Sequence, residues 1–490
     1  MLGRLLNAAC VRPQTDYNLL PTSEWSAQHS RKPSLGGVVR PWRRCSITVL
    51  VVLVVGVAST LSCVIYLAIH PLAWQSGILA RLTGPKPLPP LYPEFREAEL
   101  ALPQHRNPDP FANGQKYLWI ASHTQWSGWG NFMQDMLMNA HLTYLSGRTY
   151  VFDDYTWAKE GPEFSKFGEH WIPSRPIVGG PFPDGDATPR AISKPRFHEI
   201  CPHPTYIRAD EIRKLHGGGA TAVRIEEVWL EYLSKIDDPC VEVDAYSGNP
   251  FHVFMFGTKD EMLPVWPSLS TSPIVSLLGW STLAHGAFET NRELFSPAPF
   301  FPPYVTQKAC PHCFDPYAQL DGLLALHLRR GDFLEHCPNL CHWGANWNAF
   351  NRFPEFPDQW ESPQGSEEYR MSVYLKSCLP NIDQIVEKIE GIRNTAAGQG
   401  LKNIYIMTNG DREWLQDLKW ALRRAYPWLR IATSRDMVLT WEQKHVSQTM
   451  DMLIGQRAQV FVGNGFSSMT SNIALLRVAR GLPAESTRMW

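Results

Sequence analysis

The chain's apolar positions keep changing their period, and each change marks an element. From Tyr117 to Ala121 (YLWIA) they run without a break, which predicts a buried strand. Phe132–Ser146 returns to helical spacing, Gly147 stops it, and Thr149–Phe152 makes a second strand. In the second half a run from Leu323 to Leu328 is followed by helical spacing over 366–378 and 381–393, then a strand at 403–408 (NIYIMT). A helix over 411–426, a strand over 429–433, a helix over 446–456, a strand over 459–462 (QVFV) and a helix over 467–479 complete the series. Strands alternating with helices of these lengths predict a parallel, doubly wound sheet. Between 157 and 313 scattered prolines (Pro162, Pro173, Pro181, Pro183, Pro189) interrupt every period, leaving helical pieces only near 208–215 and 225–236. The expected architecture is α/β, with two Rossmann-like domains over 115–313 and 314–490 facing a cleft.

Ser46–Ile69 is 24 residues without a charge, long enough for one membrane-spanning helix. Arg31, Lys32, Arg40, Arg43 and Arg44 precede it closely, while only Arg81 and Lys86 follow. That bias predicts a cytosolic basic tail at 1–45 and a type II single-pass protein with its body in a lumen or outside the cell. Gly84–Pro93 (GPKPLPPLYP) is proline-dense, so 70–114 is expected to form a stiff stem, with folded material beginning near Gln115. Seven basic residues stand against two acidic ones in the tail, leaving 39 against 45 in the rest. A mildly acidic body argues against a nucleic-acid partner.

Seven cysteines fall in the body: Cys201, Cys240, Cys310, Cys313, Cys337, Cys341 and Cys378. Cys310-x2-Cys313 with Cys337-x3-Cys341 imitates a four-thiolate zinc site, but an oxidising lumen favours disulfides. An odd count leaves at least one thiol outside an intrachain pair. The body has no N-x-[ST] sequon.

The candidate chemistry gathers at strand ends. His327–Phe333 reads HLRRGDF, so Arg329, Arg330 and Asp332 stand at the mouth of a buried strand. A planar, permanently charged guanidinium offers several fixed donors to the oxygens of a diphosphate, and open α/β sheets bind ligands beyond the carboxyl ends of their strands. The strand Gln459–Val462 runs into GNGFSSMT (Gly463–Thr470). Its glycines allow close backbone approach, and the N–H groups of the next helix, with the hydroxyls of Ser467, Ser468 and Thr470, favour an anion. No Lys follows the glycines, so this is not a Walker A loop. Asp451 could accept the paired N–H donors of guanine, or be a solvated helix aspartate. Met407–Asp411 (MTNGD) ends another strand and could line the same crevice, with Asp411 as a helix N-cap. Asp184-Gly185-Asp186 has the D-x-D form of metal-dependent transferases, but turn chemistry explains it. Asp153-Asp154 ends a strand in the first domain and could face an acceptor. His327 inside its strand reads as a satisfied core histidine. Trp126 and Trp129 could stack on a sugar or simply pack.

These residues resemble the GDP-fucose protein O-fucosyltransferases and, more distantly, the α1,6-fucosyltransferases. Gly128-Trp129-Gly130-Asn131 looks like the family's glycine–asparagine turn, His327–Phe333 like its H-x-R-R-x-D-F motif, and Asp451–Thr470 like its D-x-x-I segment, strand and serine-rich turn. The resemblance implies a GT-B fold and inverting transfer of fucose from GDP-fucose, without a metal or other cofactor. Position by position it implies that Arg329 holds the β-phosphate and that Asp451 recognises guanine. Ser467 and Ser468 would bind phosphate oxygens, Gly130 and Asn131 would meet the donor near the diphosphate, and His327 and Asp332 would support the base and ribose. Arg330 and Thr470 complete the expected donor set. The acceptor would be a protein or glycan hydroxyl, and the location the Golgi or endoplasmic reticulum. One departure matters: no glutamate stands beside the first glycine turn, so the general base is unassigned, with Asp153 or Asp154 as options. Two other readings remain open, a GT-B transferase using another nucleotide sugar and a catalytically silent membrane-anchored carbohydrate-binding protein. A zinc-stabilised module around Cys310–Cys341 is a third.

Overall fold

The structure is a computed structural model, and it describes residues 91–125, 127–156, 171–172, 191–296 and 315–490. The tail, the apolar span of 46–69, the D-x-D motif, Trp126, Cys310 and Cys313 lie outside these residues. Among the described residues no helix is long and apolar enough to cross a membrane.

The strands are β1 (Tyr117–Ile120), β2 (Thr149–Phe152), β3 (Tyr155–Thr156), β4 (Trp171–Ile172), β5 (Ile192–Ser193), β6 (Thr205–Ile207) and β7 (Cys240–Val243) in the first unit. The second unit has β8 (Leu320–Leu328), β9 (Asn403–Thr408), β10 (Arg430–Thr433), β11 (Ala458–Gly463) and β12 (Thr487–Met489). The helices that matter below are α1 (Trp129–Leu145), α2 (Phe333–His342), α3 (Glu367–Cys378), α4 (Ile382–Arg393), α5 (Arg412–Ala425), α6 (Ser447–Arg457) and α7 (Ser468–Ala479).

Two five-stranded sheets carry the molecule, ordered β5-β2-β1-β7-β6 and β10-β9-β8-β11-β12. Every neighbouring pair in both is parallel. The expected α/β architecture of paired Rossmann-like sheets is therefore present. In the second sheet the order reverses beside β8, with β9 on one side and β11 on the other. That is the switch point at which such sheets open a crevice. Helices cover both faces, so the strands are buried on both sides and read as apolar runs. Leu324, Leu326, Ile404, Ile406, Val460 and Val462 pack in one cluster with apolar residues of α4 and α5. Leu323, Ala325, Tyr405 and Phe461 belong to a second cluster, together with residues of α6, α7 and the first unit. One continuous core thus joins the two sheets.

The structure differs from the expectations at several points. Folded material starts before Gln115: helices form at Leu91–Leu100 and Pro103–Arg106, and the second docks on the first sheet. Gln104 Nε2 donates to the Ala191 carbonyl at 3.0 Å, and His105 Nε2 accepts from the Ser193 N–H at 3.0 Å. Helix α2 was hidden because Pro338 lies inside it. Strands β5 and β6 escaped because two and three residues are too few to show a period, and β7 escaped with them. Strand β12 was missed too; it pairs with β11, and the Trp490 indole N–H donates to the His327 carbonyl at 2.9 Å. Disulfides join Cys201 to Cys240 and Cys337 to Cys378, while Cys341 is buried and unpaired. With Cys337 bonded to Cys378, the four-thiolate zinc reading does not hold.

Candidate active site

Strand β8 ends at Leu328, opposite Thr408 of β9, and Val462 of β11 lies opposite Leu326. The Arg329–Asp332 turn and the Gly463–Ser467 turn therefore emerge side by side from adjacent strands. They are also joined directly: His327 Nδ1 and Thr470 Oγ1 share a hydrogen bond of 2.8 Å, and Thr470 Oγ1 accepts from the Asn464 N–H at 3.1 Å. Burial first, and then the Arg329 charge, push the His327 pKa down to about 3, so its ring stays neutral. This fits the satisfied core histidine. Thr470 is fully buried and occupied with these two partners.

Arg329 presents a fork already half engaged. Its Nε and Nη2 donate to Asp332 Oδ1 and Oδ2 at 3.2 and 2.7 Å, and its guanidinium lies 4.4 Å from the centre of the Phe333 ring. Two of five N–H donors are used, which leaves both on Nη1 and one on Nη2. Asp332 is thus placed against Arg329. Arg330 is committed elsewhere: its Nη1 donates to the Pro380 carbonyl at 3.0 Å, and it stacks over Trp414 at 4.4 Å. Arg330 thus keeps donors of its own, but Pro380 and Trp414 anchor its side chain, whereas Arg329 is anchored within the motif by Asp332 and Phe333.

Ser467 stands at the N-cap of α7, yet its side chain makes no cap bond, and its buried Oγ has no partner among the described residues. An unfilled donor at the opening of a helix is a favourable place for a phosphate oxygen. Behind the turn, Gly465 lies where a Cβ would stand 2.3 Å from the Trp347 ring, so only glycine fits. Trp347 stacks on Trp360, which meets Phe466 edge-on. The backbone of the turn is thereby fixed from below.

The glycine turn of the first unit arrives at the same place. A Cβ on Gly130 would stand 2.6 Å from Ser468 Oγ and 2.7 Å from Met469 N. Gly130 lets the start of α1 touch the start of α7, and its carbonyl accepts from Asn472 Nδ2 at 2.8 Å. Gln134, one turn on, donates to Asn348 Oδ1 and Ser471 Oγ, each at 2.8 Å. Asn131 is half-buried beside them, with no side-chain hydrogen bond among the described residues.

Asp451 lies on α6, buried, with its Oδ1 accepting from the Tyr405 hydroxyl at 2.7 Å. Burial raises its pKa to about 7. It is a core carboxyl with a tyrosine partner, and the solvated alternative is excluded. Asp411 caps α5 by accepting from the Trp414 N–H at 2.8 Å. Trp129 is buried and packs on Phe132 and Tyr155, so it is a packing residue. Asp153 pairs with Lys194 at 3.0 Å and accepts from the Asp154 N–H at 2.8 Å.

Of two further polar residues, Asp135 escaped the sequence reading and Asn409 entered it only as part of the MTNGD segment. Asp135 is buried on α1, accepts from the Thr124 N–H at 2.5 Å, and has its pKa raised to about 7 by burial. Asn409 accepts from the Arg330 and Gly331 N–H groups at 2.7 and 3.0 Å and donates to Asp332 at 2.9 Å. Its place at the end of a strand was the available signal.

Solved structures that overlay on this chain in part include POFUT1 in complex with GDP, at a TM-score of 0.46 and 15% identity over 76% of this chain and 97% of that one. POFUT1 in complex with GDP-fucose gives 0.44 and 14% over 76% and 97%, and apo-form POFUT1 gives 0.44 and 15% over 77% and 98%. No curated protein sequence matches this chain. Residues 308–479 match the family model of GDP-fucose protein O-fucosyltransferase. The resemblance carried by HLRRGDF and by Asp451–Thr470 is thereby borne out, and with it the expectation of a glycosyltransferase of the fucosyltransferase kind.

Proposed function

We propose that this protein transfers fucose from GDP-fucose to a hydroxyl of a protein or glycan acceptor, with inversion and without a metal. The observation that carries the reading is the adjacency of two anion-seeking elements at one switch point. The free edge of Arg329 and the opening of α7, with the unpartnered Ser467 hydroxyl, stand at the ends of neighbouring strands. As the bond to the sugar breaks, negative charge grows on the departing diphosphate. Preorganised donors aimed at that charge supply the main catalytic term. Arg329 would meet the β-phosphate; Ser467, Ser468 and the free N–H groups of α7 would take the remaining oxygens. The positive charge that a metal provides in D-x-D transferases is supplied here by the guanidinium and the helix start.

Asp451 would accept the ring N–H and amino group of guanine in its ionised form. Asn131, beside Gly130, would face the donor near the diphosphate. We assign no base: a displacement with an ion-pair-like transition state makes small demands on one. In this reading residues 46–69 cross a Golgi or endoplasmic-reticulum membrane, the 1–45 tail is cytosolic, and the catalytic body is luminal. The two disulfides support an oxidising compartment. The test is nucleotide release from GDP-fucose, GDP-mannose and UDP-glucose by the purified protein in the presence of chelator. Turnover of GDP-fucose alone is the expected result; preference for a UDP-sugar, or no turnover of any donor, overturns the reading.

A further inference from the structure

We propose that Asn409 is the positioning residue that aims Arg329 at the departing diphosphate, an inference that rests on the donor-site reading above. Asn409 follows β9 directly, and its own backbone is held in place: Thr408 Oγ1 donates to the Leu328 carbonyl and accepts from the Gly410 N–H at 3.0 Å. From there a single amide group does two different things. Its oxygen accepts from two successive N–H groups of the turn after β8, those of Arg330 and Gly331. Its nitrogen donates to Asp332 Oδ1, the same oxygen that receives Arg329 Nε. Asn409, Asp332 and Arg329 therefore form one chain of hydrogen bonds.

The consequence is directional. Asp332 grips the Nε edge of the guanidinium, and Phe333 lies under its face, so the opposite edge is the one left to bind oxygens. Two of the three bonds that Asn409 makes fix the backbone from which Arg329 and Asp332 project. The third fixes the rotation of the Asp332 carboxylate. Without them Arg329 would sample several rotamers, and each binding event would have to order it again. The fit is close: a Cβ on Gly331 would stand 2.9 Å from Asn409 Nδ2. Only an amide of this length both accepts from two amides and donates to a carboxylate. Aspartate keeps the acceptors and loses the donor; alanine loses both.

That difference sets the test. Asn409→Asp places a second carboxylate against Asp332, so the bridge is broken at high pH and restored when the two carboxylates share a proton. The charged and titratable groups facing this pair are Arg329, Arg330, Asp411, His327 and His336. All of them are present in the wild type, so activity is read as a ratio to wild type at each pH. At pH 8 the turnover of GDP-fucose by N409D should fall about 100-fold, while its affinity for GDP weakens by a smaller factor, about tenfold or less. The ratio should recover by about tenfold on going to pH 5.5, and N409A should show the loss without the recovery. A flat ratio, or turnover near that of wild type in N409D, overturns the proposal. So does loss of the fold in both variants by circular dichroism, which would make Asn409 a folding residue. A crystal structure of N409D with Arg329 still forked onto Asp332 would also overturn it, whatever the donor proves to be. Failure of the wild type itself to bind GDP or turn over GDP-fucose would instead strike the donor-site reading.

Discussion

Arg329 differs from a lysine at the same position in shape more than in charge. A guanidinium can hold Asp332 on one edge and phosphate oxygens on the other, whereas an ammonium on a flexible stem cannot do both with fixed geometry. Replacing Arg329 by Lys should lower kcat/KM for GDP-fucose by about 100-fold or more, as loss of an electrostatic donor does elsewhere; steady-state kinetics decide it. Asp451 gives a second residue-scale expectation, with its sign set by burial. Its free-state pKa is raised to about 7, yet guanine needs the ionised form, so binding should expel a proton. GDP affinity should therefore weaken as pH falls below about 7, with a limiting slope of about tenfold per unit. The Asp451→Asn variant should bind GDP weakly and show a flat profile. Titration in buffers of different ionisation enthalpy counts the released proton. At this scale the sequence was informative where a residue type has few uses, as with a forked cation at a strand end. It placed the segment of Asn409 at the crevice but was silent on the residue's role, because one amide in a T-N-G-D turn looks the same whether it caps a helix or steers a neighbour. Nor could it show that Arg330 engages Pro380 and Trp414, because those contacts are tertiary.

Among the elements, the meeting of α1 and α7 bears the most. Two helix starts abut because Gly130 has no side chain, and Asn472 and Gln134 then bind across the contact. Gly130→Ala should force the two helices apart, since its new methyl would run into the Met469 backbone. We expect a stability loss of about 1–3 kcal/mol from overpacking, together with weaker GDP binding, because α7 carries Ser467 and Ser468. Thermal unfolding and calorimetry on one preparation measure both; an unchanged Tm with unchanged affinity would contradict the contact. In the second sheet β8 to β11 were legible from the sequence because they are four residues or longer and largely buried, whereas β12 has only three. In the first sheet β1 and β2 were legible too, whereas β5 and β6 have only two and three residues and owe their place to neighbours. Pro338 concealed α2 in a different way, by imitating a helix end in the middle of a helix.

Across the whole molecule one shared core joins the two sheets, and among the described residues each unit carries a disulfide of its own. The bridges close separations of 39 and 41 residues, each worth about 4 kcal/mol on the chain-entropy account. Cys337–Cys378 also reaches the site, because the Cys378 carbonyl accepts from Asn464 Nδ2 at 2.8 Å and α2 begins with the ring under Arg329. Reduction should accordingly lower Tm and weaken GDP binding before unfolding begins. Asp135 and Asp451 add a pH dependence to stability. Both have folded pKa values raised to about 7, so they favour the folded state most below their unfolded pKa near 4. That contribution is lost as pH rises from about 4 through 7, and denaturant midpoints across this range should fall accordingly, with the loss reduced in D135N. The central claim is that one diphosphate is held between the free edge of Arg329 and the opening of α7, and the difference between GDP and GMP tests it most directly. Calorimetric titration of the purified protein should show GDP binding at one site and GMP binding at least about 100-fold more weakly, since the β-phosphate makes the charge-assisted bonds. Equal affinity for the two nucleotides would contradict the account.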